Sequence, residues 1–165
     1  MTDQPGSTAY IALGSNIDSP QLHIERAMEE LGRLPITQLT RCSPLYSSRP
    51  VGPQDQPDFV NAVVAVSTRL SPLALLDQLQ ALEQRHGRQR QRRWGPRTLD
   101  LDLLLYGERR MQTSRLTLPH PHMLERAFVL TPLADIAGHV SLAGGEDIAT
   151  LACRLPDDGL RVVLP

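Results

Sequence analysis

An α+β fold in a single domain is the architecture that this sequence of 165 residues indicates. Segments with the character of β-strands and segments of helical periodicity follow one another in a mixed order. Neither an internal repeat nor a glycine-rich dinucleotide fingerprint occurs. Because 41% of the residues are hydrophobic, a chain of this length can bury a substantial core, and we expect residues 1–165 to form one compact unit.

The first elements are a strand and a helix. Residues 8–13 predict a short buried strand, which ends in the turn composition of residues 14–16. A helix is expected next, since Asp18 or Ser19 can cap it and Pro20 suits its first turn. The helix should end at Gly32. Its predicted apolar stripe consists of Leu22, Ala27, Met28 and Leu31.

A strand, a loop and a second strand follow. Residues 36–46 predict an irregular strand that is broken near Pro44. Residues 47–58 contain three prolines and a glycine, whose constrained φ angles and missing N–H groups favour a long loop. Residues 59–68 are rich in valine and alanine and predict a central strand buried on both faces, although Asn61 interrupts the apolar run.

The second half begins with a helix that starts at Ser71 and Pro72 and ends near Gly87. One face of this helix should carry Leu75, Leu76, Leu79 and Leu82. A strand that ends at Gly107 follows the arginine-rich residues 85–97.

The last third is predicted to contain shorter elements. Residues 115–118 indicate a short extended segment, and residues 123–136 have a helical pattern with Pro132 as a kink or break. Turn signals at residues 144–145 and 158–159 leave room for a short helix and a last strand.

Residues 93–104 are the most informative segment, because arginines and a Gly-Pro pair precede a strand with two aspartates. Side chains alternate between the faces of a strand, so Asp100 and Asp102 should point the same way with Cα atoms ~6–7 Å apart. Such carboxylates can share one hard cation or bridge two, and they suit Mg²⁺, whose coordination is usually completed by substrate phosphates. The leucines expected to point into the core are Leu99, Leu101, Leu103 and Leu105.

Residues 85–97 carry six arginines and no acidic residue, although the formal net charge of the chain is -1. Guanidinium groups donate bidentate hydrogen bonds to phosphate oxygens, so this segment suits a polyphosphate beside a carboxylate-bound metal. All 17 basic residues are arginine, so the choice of arginine over lysine carries little information at any one position. A Walker-type phosphate loop is excluded, because it needs a lysine.

Each of these features also has another interpretation. An Asp-x-Asp pair can be the solvated face of an edge strand, and it also occurs in a nucleotidyltransferase, which releases inorganic pyrophosphate. A basic loop can bind nucleic acid, although the net charge of -1 and the lack of a spread basic face argue against this. His120 and His122 suggest zinc, but no third ligand lies nearby in the sequence.

The run R-W-G-P-R-T-L-D-L-D-L-L at residues 93–104 resembles the signature of the 6-hydroxymethyl-7,8-dihydropterin pyrophosphokinases of folate biosynthesis. Further motifs follow the order of that family: G-S-N at residues 14–16, G-P-Q-D-Q-P-D-F-V-N-A at residues 52–62 and R-L-T-L-P-H at residues 115–120. The resemblance spans residues 10–133. It implies a ferredoxin-like core with a mainly antiparallel sheet and helices packed on it, and a monomer. It also implies transfer of pyrophosphate from ATP to the pterin hydroxymethyl group, with release of AMP.

The resemblance further implies a set of site residues. Two Mg²⁺ ions would be held by Asp100 and Asp102, and Arg90 and Arg93 would take part in catalysis. Because the arginine segment is one residue shorter than in some relatives, Arg88 or Arg92 is an alternative to Arg90. The residues implied for ATP are Gln80, Glu83, Arg90, Arg93, Leu103, Arg115, Thr117, His120 and Arg126. Those implied for the pterin are Ser48, Val51, Phe59, Asn61, Trp94 and Phe128.

The residue types suit these roles. Phe59 and Asn61 lie on one face of their strand and pair an aromatic wall with an amide that both donates and accepts hydrogen bonds, as a flat heterocycle requires. Gln80 and Glu83 are three residues apart on one helix and therefore lie on the same side of it. Three segments, residues 14–16, 47–58 and 85–97, are expected to close over the ligands and exclude water.

Composition also bears on the compartment. The N-terminus is polar and lacks a cationic start with an apolar run, and no stretch approaches the ~20 apolar residues that span a bilayer. We therefore expect a cytoplasmic protein without a membrane partner. Cys42 and Cys153 have no metal-site spacing and are expected to be reduced, small, buried side chains.

Overall fold

The computed structural model, in which strands and helices follow one another in a mixed order, describes residues 6–50, 55–87, 98–142, 145–156 and 159–163. The strands are β1 (Ser7–Ser15), β2 (Thr37–Cys42), β3 (Tyr46–Ser48), β4 (Phe59–Thr68), β5 (Asp100–Tyr106), β6 (Met111–Gln112), β7 (Thr117–Leu118) and β8 (Arg161–Val162). The α-helices are α1 (Pro20–Leu31), α2 (Pro72–Arg85), α3 (Ala127–Ala137) and α4 (Ile148–Cys153), and a 3₁₀ turn spans Met123–Glu125. Among these described helices, none has the length and apolar character that a membrane crossing requires.

The main sheet has the strand order β5-β1-β4-β3-β8, and β2 pairs with the part of β4 that β3 leaves uncovered. The pairings between the described strands are antiparallel. Helix α1 lies between β1 and β2 in the chain, and α2 lies between β4 and β5. The order β5-β1-β4-β2 with these two helices is the β-α-β-β-α-β arrangement of a ferredoxin-like fold, which confirms the predicted fold class.

Helices α1 and α2 cover one face of this sheet. Their buried side chains pack with one set of alternating strand residues, which includes Ile11 and Leu13 of β1. The predicted leucine face of α2 is confirmed. In α1 the stripe is partly wrong: Leu22 is 44% exposed, and Ile24 is fully buried instead. Because Ile24, Ala27, Met28 and Leu31 follow the helical period, Leu22 lies on the far side of the helix.

Helices α3 and α4 cover part of the second face, where Ala12 and Val63 belong to a separate core cluster. Leu105 is buried as expected, but it belongs to this cluster rather than to the one under α1 and α2. The cause is a β-bulge: Tyr10 pairs with Leu105 and Ile11 with Leu103, which leaves Leu104 as an extra residue. The extra residue shifts the alternation of side chains after Leu103.

Most predicted element bounds agree with the structure. Strand β4 covers residues 59–68 as expected, and Asn61 is paired within it rather than interrupting it. The Ser71 side chain caps α2 by accepting a hydrogen bond from the Ala74 N–H at 3.2 Å. The predicted loop at residues 47–58 begins later than expected, because β3 includes Ser48.

Three smaller expectations need correction. Pro132 does not break α3, which continues to Ala137 with Pro132 buried inside it. Ser19 occupies the N-cap position of α1 but makes no capping hydrogen bond with its side chain. Cys42 and Cys153 are exposed rather than buried, because they end β2 and α4 at the surface.

The stripe of α1 yields a stability prediction. Ile24→Ala should lower the free energy of unfolding by about 2–5 kcal/mol, because it leaves a cavity in a fully packed site. Leu22→Ala, two residues away on the same helix, is the matched control and should change it by less than ~0.5 kcal/mol. Urea unfolding followed by circular dichroism measures both, and similar losses for the two variants would contradict the assignment of the buried face.

Candidate active site

The two aspartates of β5 lie on the same face of the sheet. Asp100 pairs with Gly14 of β1, and Asp102 pairs with Ala12, which belongs to the α3 side. Both aspartates are partly exposed, whereas the alternating Leu101 is buried on the opposite face under α1 and α2. The predicted same-face arrangement of the two aspartates is thus present at the start of β5.

Gly14 separates the aspartates from an aromatic ring and an amide on β4. A Cβ atom at Gly14 would lie 3.5 Å from the Asn61 Oδ1 atom and 3.7 Å from the Phe59 ring. Because Gly14 pairs with both Asp100 and Asn61, these three positions form one row across three strands. The glycine therefore leaves a gap in this row where a side chain would otherwise stand.

The residues predicted for the pterin meet at β3 and β4. Asn61 donates a hydrogen bond from its Nδ2 atom to the Ser48 hydroxyl at 2.6 Å, and both side chains are buried. Ser48 pairs with Phe59 across the same two strands, so the three side chains share a face. The Ser48 contact fixes the orientation of the Asn61 amide, with its oxygen on the Gly14 side.

Phe128 and Arg126 lie at the start of α3. Phe128 is half-buried and packs against the second core cluster. The Arg126 guanidinium lies over the Phe128 ring, 5.8 Å from its centroid, which is within the range of a cation–π interaction. Arg126, which is predicted to bind ATP, is thus in contact with Phe128, which is predicted to bind the pterin.

Glu83 and Leu103, both predicted to bind ATP, have buried side chains. The Glu83 side chain is 4% exposed, and its carboxylate accepts a hydrogen bond from the Leu101 N–H of β5 at 2.8 Å. The Leu103 side chain is 2% exposed in the first core cluster, on the face opposite to the aspartates. The side chain thus points into the core as expected, and the predicted contact of Leu103 with ATP would have to come from its main chain.

Arg115 connects the small β6–β7 sheet to α2. Its Nη2 atom donates to the Asp77 carboxylate at 2.5 Å and to the Gln80 side-chain oxygen at 3.3 Å. Two residues predicted for ATP, Gln80 and Arg115, are therefore in contact. Thr117, a third, lies two residues further along in β7, where it pairs with Gln112.

The sequence interpretation missed two residues that contact predicted site segments: Asp77, which binds Arg115, and Gln56, which binds Asn16. Asp77 lies three residues before Gln80 on α2, and this helical spacing is a signal that places both on one surface. Gln56 accepts a hydrogen bond from the Asn16 Nδ2 atom at 2.9 Å, and the Pro57 carbonyl accepts another at 2.9 Å. The Asn16 side chain thus joins two of the three segments that were expected to close over ligands.

His120 lies next to β5, where the charges of Asp100 and Arg126 act on its imidazole. The main-chain N–H of His120 donates a hydrogen bond to the Leu104 carbonyl at 2.9 Å, and this bond holds His120 against β5. Burial lowers the pKa of His120 below 6.5, the charges of Arg126 and His122 add to this effect, and Asp100 opposes it. Within the described ranges, no group of three or more His, Cys, Asp or Glu side chains could hold a metal ion, so the zinc interpretation gains no support.

Four predicted site residues lie outside the described residues. They are Val51, Arg90, Arg93 and Trp94, and the alternatives Arg88 and Arg92 lie there as well. Their predicted roles rest on the sequence alone.

Comparisons with known proteins identify one family. The sequence profile of the 7,8-dihydro-6-hydroxymethylpterin-pyrophosphokinase (HPPK) family matches residues 10–138. A protein from Pseudomonas aeruginosa is 52% identical over 152 residues, which cover 92% of this chain and 94% of that protein. A protein from Haemophilus influenzae is 50% identical over 150 residues, or 91% of this chain and 94% of that protein. Both carry the name 2-amino-4-hydroxy-6-hydroxymethyldihydropteridine pyrophosphokinase.

Solved structures agree with the observed fold. The wild-type Plasmodium falciparum HPPK-DHPS structure with pteroate superposes with a TM-score of 0.71 at 14% identity. The superposition covers 93% of this chain but only 43% of that chain, so the chain spans less than half of the larger protein. At this identity the likeness extends to the fold alone.

The depressed pKa of His120 makes the stability of the fold depend on pH. As the pH falls, the unfolded chain takes up a proton on His120 before the folded chain does, so the free energy of unfolding should drop below pH 6.5. Urea unfolding at about pH 7.5 and about pH 5.5 measures this drop, which should be smaller in His120→Gln. His23, whose pKa is also lowered by burial, contributes equally in both proteins. Equal drops in the two proteins, or an imidazole NMR titration midpoint of His120 above 6.5, would rule out this assignment.

Proposed function

Since the chain belongs to the 7,8-dihydro-6-hydroxymethylpterin-pyrophosphokinase family, we propose that it transfers pyrophosphate from ATP to 6-hydroxymethyl-7,8-dihydropterin in folate biosynthesis. The observation that carries the proposal is the row Asp100, Gly14 and Asn61. On one side of the gap stands the Asp100 carboxylate, to which we assign metal binding, and on the other stand the Asn61 amide and the Phe59 ring. A phosphate donor and a flat acceptor can therefore meet across this gap.

The proposed reaction forms one bond and breaks another. The hydroxymethyl oxygen bonds to the β-phosphorus of ATP, while the bond from this phosphorus to the oxygen that bridges to the α-phosphate breaks. AMP leaves with the bridging oxygen, and the hydroxyl proton passes to solvent. Transfers of this kind depend mainly on positioning and on neutralising charge, so we assign no general base.

The donor set of Asp100 and Asp102 fits Mg²⁺. Carboxylate oxygens are hard ligands, and two of them on adjacent same-face positions leave the remaining coordination to water and phosphate oxygens. We propose that these aspartates hold two Mg²⁺ ions together with ATP. When bound, the ions would neutralise phosphate charge and orient the phosphate oxygens.

On the nucleotide side, the chain contributes cations and hydrogen-bond donors. Arg126 and Arg115 are proposed to bind phosphate oxygens, and His120, neutral near pH 7 because of its lowered pKa, to donate or accept one hydrogen bond. Further contacts are proposed for Gln80, Glu83, Thr117 and the Leu103 main chain, and for Arg90 and Arg93 outside the described residues.

On the acceptor side, Asn61 and the ring of Phe59 are proposed to bind the pterin. The amide, held by Ser48, would hydrogen-bond to the edge of the heterocycle, while Phe59 and Phe128 would stack on its faces. Val51 and Trp94 are proposed to complete this pocket from outside the described residues. The protein is further proposed to act as a cytoplasmic monomer on small molecules, without a nucleic-acid partner.

The nucleotide product tests this function. With Mg²⁺-ATP and 6-hydroxymethyl-7,8-dihydropterin, the protein should release one AMP for each pterin diphosphate formed, because the β-phosphorus is the point of attack. Chromatography of the nucleotides and pterins measures both. ADP as the product would indicate single phosphoryl transfer, and inorganic pyrophosphate with a nucleotide on the acceptor would indicate the alternative nucleotidyltransferase.

Asp100→Ala and Asp102→Ala should each reduce turnover by about 10³-fold or more, because each removes a carboxylate proposed to hold the metal ions. Glu108→Gln is the matched control, since Glu108 is an exposed acid beyond the other end of β5. Steady-state AMP formation measures the effect, and circular dichroism checks that the fold is retained. Turnover within tenfold of the wild type in either aspartate variant would exclude the proposed metal site.

A further inference from the structure

We infer that Asp77 is a positioning residue that holds Arg115 in the orientation in which it binds ATP. The inference rests on the proposed function, because it assigns to Asp77 a role through a residue of the nucleotide side. Asp77 itself is not expected to touch ATP. Asp77 would act by ordering Arg115, one of the cations on the nucleotide side of the site.

Two acceptors on α2 bind the same guanidinium nitrogen. The Arg115 Nη2 atom lies 2.5 Å from the Asp77 carboxylate and 3.3 Å from the Gln80 side-chain oxygen. Asp77 and Gln80 are three residues apart and face the same side of the helix. A guanidinium group has five N–H donors, so this contact leaves other donors of Arg115 for phosphate oxygens.

The segment that contains Arg115 fixes the main chain of this residue. Leu116 and Leu118 are buried in the first core cluster, and the main-chain N–H of Arg115 donates to the Thr113 hydroxyl at 3.3 Å. The long side chain beyond Cα loses up to about 2 kcal/mol of rotamer entropy when it is ordered. Helix α2 is a rigid partner for this ordering, because Leu76 and Leu79 anchor it next to Asp77.

As a source of stability, this ion pair is weak. The Arg115 side chain is 46% exposed and the Asp77 side chain 59% exposed, and exposed pairs contribute little to the free energy of unfolding. Its effect should instead appear in binding, where an arginine that is already ordered loses less entropy when ATP arrives. The fold should therefore tolerate the loss of Asp77 while ATP binding does not.

The sign of the effect separates positioning from simple electrostatics. Asp77 is an anion near the proposed site of a polyanion, so by charge alone its removal should reduce repulsion and strengthen ATP binding. Positioning predicts the opposite result, a weaker binding of ATP. Asp77→Asn is the sharpest variant, because it removes the charge and keeps the shape.

The experiment measures steady-state AMP formation by wild type, Asp77→Asn, Asp77→Glu, Arg115→Gln and the double variant Asp77→Asn/Arg115→Gln. Asp77→Asn should raise the KM for ATP about fivefold, with the KM for the pterin and the thermal melting temperature unchanged. Asp77→Glu should restore part of the loss. In the Arg115→Gln background, Asp77→Asn should have no further effect, because its target is gone.

Glu29→Gln is the matched control, since it removes one negative charge from the exposed surface of α1 and should leave all constants unchanged. An unchanged or lower KM for ATP in Asp77→Asn would overturn the inference, as would the same increase in the Arg115→Gln background. The wild-type protein tests the proposed function separately. If it forms no AMP, the function and the inference fall together, whereas an active wild type with an unaffected Asp77→Asn variant rejects the inference alone.

Discussion

The pairing register of β5, β1 and β4 is the constraint on which the proposed site depends. Asp100 pairs with Gly14 and Gly14 with Asn61, so a carboxylate, a position without a side chain and an amide form one row. A slip of one residue in either pairing would turn part of this row toward α1 and α2. Apolar residues on the other face, such as Leu13 and Leu101, would then leave the core. The same packing that stabilises the fold therefore fixes the geometry of the site.

The second face of the sheet is divided between core and site. Ala12 and Val63 belong to the cluster under α3 and α4, whereas Gly14 and Asn61, the next residues on the same face, do not. Phe128 lies at this boundary, because it is the second residue of α3 and only half-buried. The start of α3 thus marks the point where helix packing ends and ligand binding is proposed to begin.

Local pattern predicted the elements well and the contacts between them poorly. The bounds of β4 and the leucine face of α2 follow from apolar content and helical period, which a short window of sequence contains. The direction of Leu105 does not, because the bulge before it depends on the pairing with β1. Asp77 and Arg115 are 38 residues apart, and Asn16 and Gln56 are 40 apart, so only the folded chain shows that they meet. The family motifs identified the aspartate pair, but not the side chains that hold its neighbours in place.

Arg126 is the residue at which the two proposed halves of the site meet. Its guanidinium lies over the ring of Phe128, on the pterin side, and its charge lowers the pKa of His120, on the nucleotide side. Asp100 acts on the same imidazole in the opposite direction, so His120 lies within the electrostatic reach of both. A diphosphate passing from ATP to an alcohol must keep its negative charge compensated throughout the transfer. If Arg126 binds phosphate oxygens as proposed, a cation at the N-cap position of α3, at the junction of the two halves, would satisfy that requirement without moving between them.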